Sequence, residues 1–107
     1  MKIKILAKDI ELTEGNRDYI EKKIVSINKY LQKFDQDGDL KCDIEVCKIT
    51  HHHAHGNVFH ASVNLFLPGK TLRAESDGET LREAIDRLKD VLKHEVLKYK
   101  ERKNKAE

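Results

Sequence analysis

The sequence predicts an α+β fold with element order βαβββα: a four-stranded mixed sheet carrying two helices on one face. Three observations predict it. Four segments alternate apolar and polar residues with a period of two, and two segments repeat apolar residues at helical spacing. The first helical segment is a crossover long enough to join parallel strands, whereas the short later connections favour antiparallel neighbours.

The elements follow in order. From Lys2 to Lys8, Ile3, Ile5 and Ala7 point one way and Lys2, Lys4, Leu6 and Lys8 the other, the pattern of a half-buried strand. Thr13 is placed to cap a helix in which Ile20, Ile24, Ile27, Leu31 and Phe34 form the apolar stripe. Glu14 and Asp18 come early in that helix and Lys29 and Lys33 late, an order that suits its dipole. Asp35-Gln36-Asp37-Gly38-Asp39 ends it. The glycine is misplaced for a calcium loop and no glutamate stands at the twelfth position, so the segment reads as a plain turn.

Leu40, Cys42, Ile44 and Val46 then alternate with Lys41, Asp43 and Glu45, and Phe59, Ala61, Val63, Leu65 and Leu67 with His60, Ser62 and Asn64. Pro68-Gly69 marks a tight turn into a fourth strand over Lys70 to Glu75. Ser76-Asp77-Gly78-Glu79 has capping-box spacing ahead of a long helix whose stripe is Leu81, Ile85, Leu88, Leu92 and Val96. That helix is expected to reach about Arg102, with a basic, fraying tail over about 98–107. Because each strand has one apolar face, both helices should cover the same side of the sheet.

A chain of 107 residues has room for one domain and one core, so residues 1–107 read as a single domain. Charged residues make up 37% and hydrophobic residues 38%, with the signs interspersed, which separates the chain from disordered sequences of high net charge. The formal net charge of +2 is too small to drive binding to polyanions by itself, so clustering of the cations must decide any such affinity. Cys42 and Cys47 are an odd number of residues apart on one strand, point to opposite faces and cannot pair with each other. No stretch approaches a membrane span and the start lacks the apolar core of a signal peptide, which implies a reducing cytoplasm.

Ile3 to Ala7, Ile10-Glu11-Leu12-Thr13-Glu14 leading into the first helix, Lys48-Ile49-Thr50-His51, and Ala84-Ile85-Asp86 followed by Lys98 and Lys100 occur in an order and spacing that resembles the ribosome hibernation-promoting and ribosome-associated inhibitor family. The resemblance covers nearly the whole chain. It implies a short-form hibernation factor, one ribosome-binding domain without the further C-terminal domain of long-form relatives. Such a factor is not an enzyme and needs no cofactor. It sits on the small ribosomal subunit and its rRNA, where mRNA and the A- and P-site tRNAs bind, and competes with them. Two departures stand out: Thr80-Leu81-Arg82 replaces the Asp-Leu-Tyr or Asp-Met-Tyr common in the family, and His94 stands where an arginine is frequent.

The cations expected to meet RNA are Lys2, Lys4 and Lys8 from the first strand, Lys29 and Lys33 from the first helix, and Arg82, Lys89, Lys93, Lys98, Lys100, Arg102 and Lys103 from the second. Up to about Lys98 the second helix mixes them with Glu83, Asp86, Asp90 and Glu95, a pattern that a solvated helix face explains as well as RNA binding does. If about six to eight phosphates are neutralised, affinity should fall about a thousandfold between ~50 and ~200 mM salt. The aromatic residues are few and scattered, which argues against a base-stacking platform on the sheet.

His51, His52, His53 and His55, with Cys47 four residues before the first of them, invite a zinc or copper reading. A structural zinc site closes with four ligands from two separated knuckles, whereas these all lie in one segment, so no metal is assigned. The segment reads as a polar hairpin loop whose imidazoles, with Lys48 and Asn57, donate hydrogen bonds to rRNA. No Gly-rich phosphate loop or activated cysteine supports catalysis. The chain is expected to be a monomer off the ribosome and to keep away from membranes; the alternatives are a generic structured-RNA binder, since the βαβββα layout is similar to a double-stranded-RNA-binding domain with an extra first strand, and, on the histidine loop, a metal-binding protein.

Overall fold

The computed structural model describes residues 1–35, 37–49 and 58–105, without the side chains of residues 104 and 105. Strands β1 (Lys2–Lys8), β2 (Lys41–Lys48), β3 (Phe59–Leu67) and β4 (Lys70–Gly78) form one sheet in the order β1-β2-β3-β4. β1 is parallel to β2, with Ile5 opposite Ile44; the β2–β3 and β3–β4 pairs are antiparallel. Helices α1 (Glu14–Val25) and α2 (Leu81–Lys105) complete the βαβββα order. The α+β class, the mixed sheet and the helical layer on one face are as the sequence predicts.

The core explains the single-sided layering. Cys42, Ile44 and Val46 of β2, Ala61, Val63 and Leu65 of β3, and Leu72 and Ala74 of β4 all turn inward. They meet Ile20 and Ile24 of α1 and Ala84, Ile85, Leu88, Leu92 and Val96 of α2. α2 lies across β3 and β4, and α1 packs beside α2. Burying a Leu, Ile or Val side chain is worth about 1.5–3 kcal/mol, so turning either helix to its polar face is prohibitive.

Local differences from the sequence reading matter because they move charges. Thr13 caps α1 as expected, its Oγ1 accepting from Asn16 N–H at 3.0 Å. The helix stops at Val25, however, and tightens into a 3-10 turn over Ser26–Tyr30. Ser26 Oγ donates to Lys23 O at 2.5 Å, offering that carbonyl a partner other than the helical N–H. Lys29 therefore sits on the 3-10 turn and Lys33 in the following turn, not on α1.

The cap of α2 is also displaced. Ser76-Asp77-Gly78 belongs to β4, and Thr80 caps the helix, its Oγ1 accepting from Glu83 N–H at 3.0 Å. Ser76 Oγ instead donates to Ala84 O at 2.6 Å, tying strand to helix. At Gly78 an added Cβ would lie 2.4 Å from Ala84 N, so only glycine admits this approach. Gly69, at φ +76°, makes the β3–β4 turn.

The basic tail expected over about 98–107 is helical through Lys105. Tyr99 anchors it: the ring is 4% exposed, packs edge-on against Phe34 at 5.3 Å between centroids, and its hydroxyl donates to Pro68 O at 3.3 Å. Asp35 begins the turn that the sequence predicts, its carbonyl accepting from Gly38 N–H at 3.2 Å, and its side chain adds two contacts. Its carboxylate accepts from Leu40 N–H at 2.9 Å and pairs with the Met1 ammonium at 2.8 Å. Burial pushes this carboxyl up, but the ammonium and the Leu40 N–H outweigh burial and hold its pKa below the ordinary value.

Candidate nucleic-acid interface

At 3.6 residues per turn, Arg82, Lys89, Lys93 and Lys100 fall along one flank of α2, while Glu83, Asp90, His94 and Glu101 fall along its crest. Most of the charges that alternate in the chain are thus separated in space, although the acidic Asp86 stays on the cationic flank. The cationic flank is the one that meets α1 and the 3-10 turn. Between them lies a hollow of about 410 Å³ lined by Tyr19, Lys22, Lys23, Ser26 and Lys89.

Two half-buried tyrosines organise the cations around this groove. Arg82 Cζ lies 4.6 Å and Lys23 Nζ 5.5 Å from the centre of the Tyr19 ring. Lys29 and Lys93 lie 5.2 and 5.4 Å from the centre of the Tyr30 ring. Each ring offers its negative quadrupole to ammonium or guanidinium groups that would otherwise repel one another. The Tyr19 hydroxyl donates to Asp86 Oδ1 at 2.5 Å, which raises its pKa, while Lys93 beside the Tyr30 phenol lowers that one. Such an array has the chemistry to hold a run of phosphates.

Sequence reasoning named Arg82, Lys89, Lys93 and Lys29 here, but missed Lys22, Lys23 and the two tyrosines. The available signal was their spacing: Lys22 and Lys23 follow Tyr19 by three and four residues, one turn along the same helix face.

The face of the sheet away from the helices presents a different lattice. Its cross-strand rows run Lys2, Lys41, Phe66, Thr71; then Lys4, Asp43, Asn64, Arg73; then Leu6, Glu45, Ser62, Glu75; then Lys8, Cys47, His60, Asp77. Most cations here are matched by carboxylates. Lys2 pairs with Asp39 at 3.4 Å, Lys8 with Glu45 at 3.3 Å, and Arg73 with Glu75 at 2.8 Å. His60 Nδ1 lies 2.5 Å from Asp77 Oδ1, and Lys4 shares a shallow hollow of about 280 Å³ with Asp43 and Glu45. Lys2, Lys4 and Lys8 are thus separated from the α1–α2 groove by the thickness of the sheet and its core.

The remaining cations disperse. Lys33 lines a hollow with Asp35, Asp37 and Asp39. Lys98 pairs with Glu95 at 3.6 Å, while Arg102 and Lys103 edge a hollow over Pro68, Gly69, Lys70 and Tyr99. Lys48 is exposed at the end of β2, and His51, His52, His53, His55 and Asn57 lie outside the described residues. Among the described residues, no three His, Cys, Asp or Glu side chains gather as a metal site. Burial and the Asp43 charge push the Cys42 thiol up to about 12, and burial with Glu45 raises that of Cys47, so both stay protonated at neutral pH and make poor nucleophiles. No described helix is long and apolar enough to cross a membrane.

The sequence profile of the family described as Sigma 54 modulation protein / S30EA ribosomal protein matches residues 3–104. The chain belongs to this family. It is 30% identical over 103 residues to a ribosome hibernation promotion factor of Picosynechococcus, covering 95% of this chain and 50% of that protein. It is 26% identical to the ribosome hibernation promoting factor of Escherichia coli K12, covering 95% and 96%. Thus the chain spans about half the length of the first of these S30EA relatives and nearly all of the second. The crystal structure of the Thermus thermophilus Protein Y N-terminal domain superposes with a TM-score of 0.72 at 31% identity, covering 92% of this chain and 99% of that one. A ribosomal subunit interface protein from Coxiella burnetii shares the fold, also at a TM-score of 0.72, with 20% identity over 94% and 98%.

Proposed function

We propose that this chain is a ribosome hibernation factor: it docks on the small ribosomal subunit and its rRNA, in the groove used by mRNA and the A- and P-site tRNAs, and silences translation reversibly by occupying that space. The observation that carries this reading is the cationic groove between α1 and α2, where lysines and an arginine from three elements converge around Tyr19 and Tyr30. The names of the family relatives point the same way. A rigid array of cations suits the fixed phosphates and 2′-hydroxyls of folded rRNA better than it suits base-edge reading. The action is steric; it needs no cofactor and breaks no bond. It places the protein in the cytoplasm, as a monomer when off the ribosome.

Co-sedimentation with ribosomes and separated subunits, over a salt series and with or without mRNA and initiator tRNA, tests the proposal. Saturable small-subunit binding that these ligands displace is the expected result. The second reading is a generic structured-RNA binder, favoured by the helices-on-one-face layout; preference for a free RNA duplex over the assembled subunit would select it.

A further inference from the structure

Asp86 is an acidic side chain standing inside the cationic groove, where simple charge counting makes it a defect. Its geometry says otherwise. Oδ1 accepts the Tyr19 hydroxyl at 2.5 Å and lies 3.5 Å from Lys23 Nζ. Tyr19 and Lys23 stand one turn apart on α1, while Asp86 and Arg82 stand one turn apart on α2. The Tyr19 ring carries both Lys23 and Arg82. One carboxylate oxygen thus joins the two helices at the point where their cations meet.

We infer that Asp86 is a positioning residue for phosphate binding: with Tyr19 it holds Lys23 and Arg82 at fixed places across the groove, so that RNA meets an array already assembled. Long lysine and arginine side chains lose much rotamer freedom when they settle on a phosphate, and an array fixed beforehand has less to lose on binding. The rise in the Tyr19 pKa is in keeping with a phenol that donates to a carboxylate. Asp90, one turn further along α2, is exposed on the crest and makes a matched control, since its loss changes the charge equally without touching the groove.

The inference rests on the groove being the RNA-binding face, and the test separates the two ideas. Wild type, D86A, Y19F, the Y19F/D86A double variant and D90A are titrated against isolated small subunits and against a 16-base-pair RNA duplex over a salt series, with thermal midpoints measured in parallel. Charge counting, which moves the net charge from +2 to +3 in either single aspartate variant, predicts tighter binding and a steeper salt slope for both. Positioning predicts that D86A weakens binding about tenfold or more, as the loss of a charge-assisted contact does, with a salt slope shallower by about one. It also predicts that Y19F weakens binding without any change of charge, that the double variant is no worse than D86A, and that D90A binds at least as tightly as wild type. D86A binding as tightly as wild type, or an affinity loss explained by the unfolded fraction alone, overturns the inference. Wild type that binds the duplex but not the subunit overturns the hibernation reading and leaves Asp86 tested on the duplex; wild type that binds neither overturns both.

Discussion

The groove between α1 and α2 and the open face of the sheet are built from the same kinds of residue, yet they differ in what a polyanion would meet. On the sheet, the period of two and the strand register set carboxylates beside Lys8 and Arg73, at 3.3 and 2.8 Å, and Asp39, just ahead of β2, meets Lys2 at 3.4 Å. On α2, the 3.6-residue period carries Glu83, Asp90 and Glu101 to the crest and leaves Arg82, Lys89, Lys93 and Lys100 together on the flank. Secondary-structure period, more than composition, makes one surface electroneutral and the other cationic. The tyrosines reinforce this, because aromatic faces let like charges gather that would otherwise keep apart.

The comparison is broken most severely by removing the groove's cations. Replacing Lys23, Lys89 and Lys93 together with Ala is expected to lower small-subunit affinity by about a hundredfold or more and to reduce the log–log salt slope by about two to three, since each phosphate contact contributes about 0.7–0.9. Sedimentation binding across a salt series reads both. An unchanged slope in that variant would remove the groove from the interface.

Gly78→Ala is next. Its Cβ would press on the backbone of the first turn of α2, 2.4 Å from Ala84 N. Overpacking of this kind costs about 1–3 kcal/mol, so the urea midpoint should fall, and affinity should fall with it because the displaced helix carries the cationic flank. A fall in stability with affinity intact would show that the flank tolerates the shift.

Asp35→Asn is expected to cost about 1–2 kcal/mol at neutral pH, by leaving the Met1 ammonium and Leu40 N–H with a neutral partner. The sign of the pH effect follows from the lowered pKa: the stabilisation is present above the unfolded value and is lost as pH falls through the folded one. Wild type should therefore lose stability on acidification below about 4, and the variant should show a flatter acid limb. Denaturant titrations at several pH values measure this.

The smallest effect is assigned to the sheet. Replacing Lys2, Lys4 and Lys8 together with Gln should leave small-subunit affinity within about threefold and the salt slope nearly unchanged, as expected for exposed, carboxylate-matched charges. A tenfold loss would move the RNA face, or part of it, onto the sheet.

Much of the fold was legible in the chain because burial enforces periodicity. Ile3, Ile5 and Ala7 on β1, the alternating run from Leu40 to Val46, and the Leu81-to-Val96 stripe each advertise one buried face, and the core uses those faces. Local endings were harder to read. Ser76 matches a helix cap in sequence, but strand pairing with β3 claims it and Thr80 takes the role. Likewise, the apolar spacing through Phe34 suggested one long first helix, which the Ser26 side chain helps to end as a 3-10 turn. For the interface, the α2 cations were visible but their grouping was not; Lys22 and Lys23 were not among the expected contacts, and Tyr19 and Tyr30 read only as scattered aromatics.

What the sequence by itself determined is the set of elements and the buried side of each, because apolar transfer from water acts residue by residue and leaves its period in the chain. Only the tertiary structure decided which cations act together. That choice depends on how α1 and α2 lie against each other and on which carboxylates the strand register brings into reach, and Coulomb interactions depend on distance through space, which the order of residues along the chain does not record.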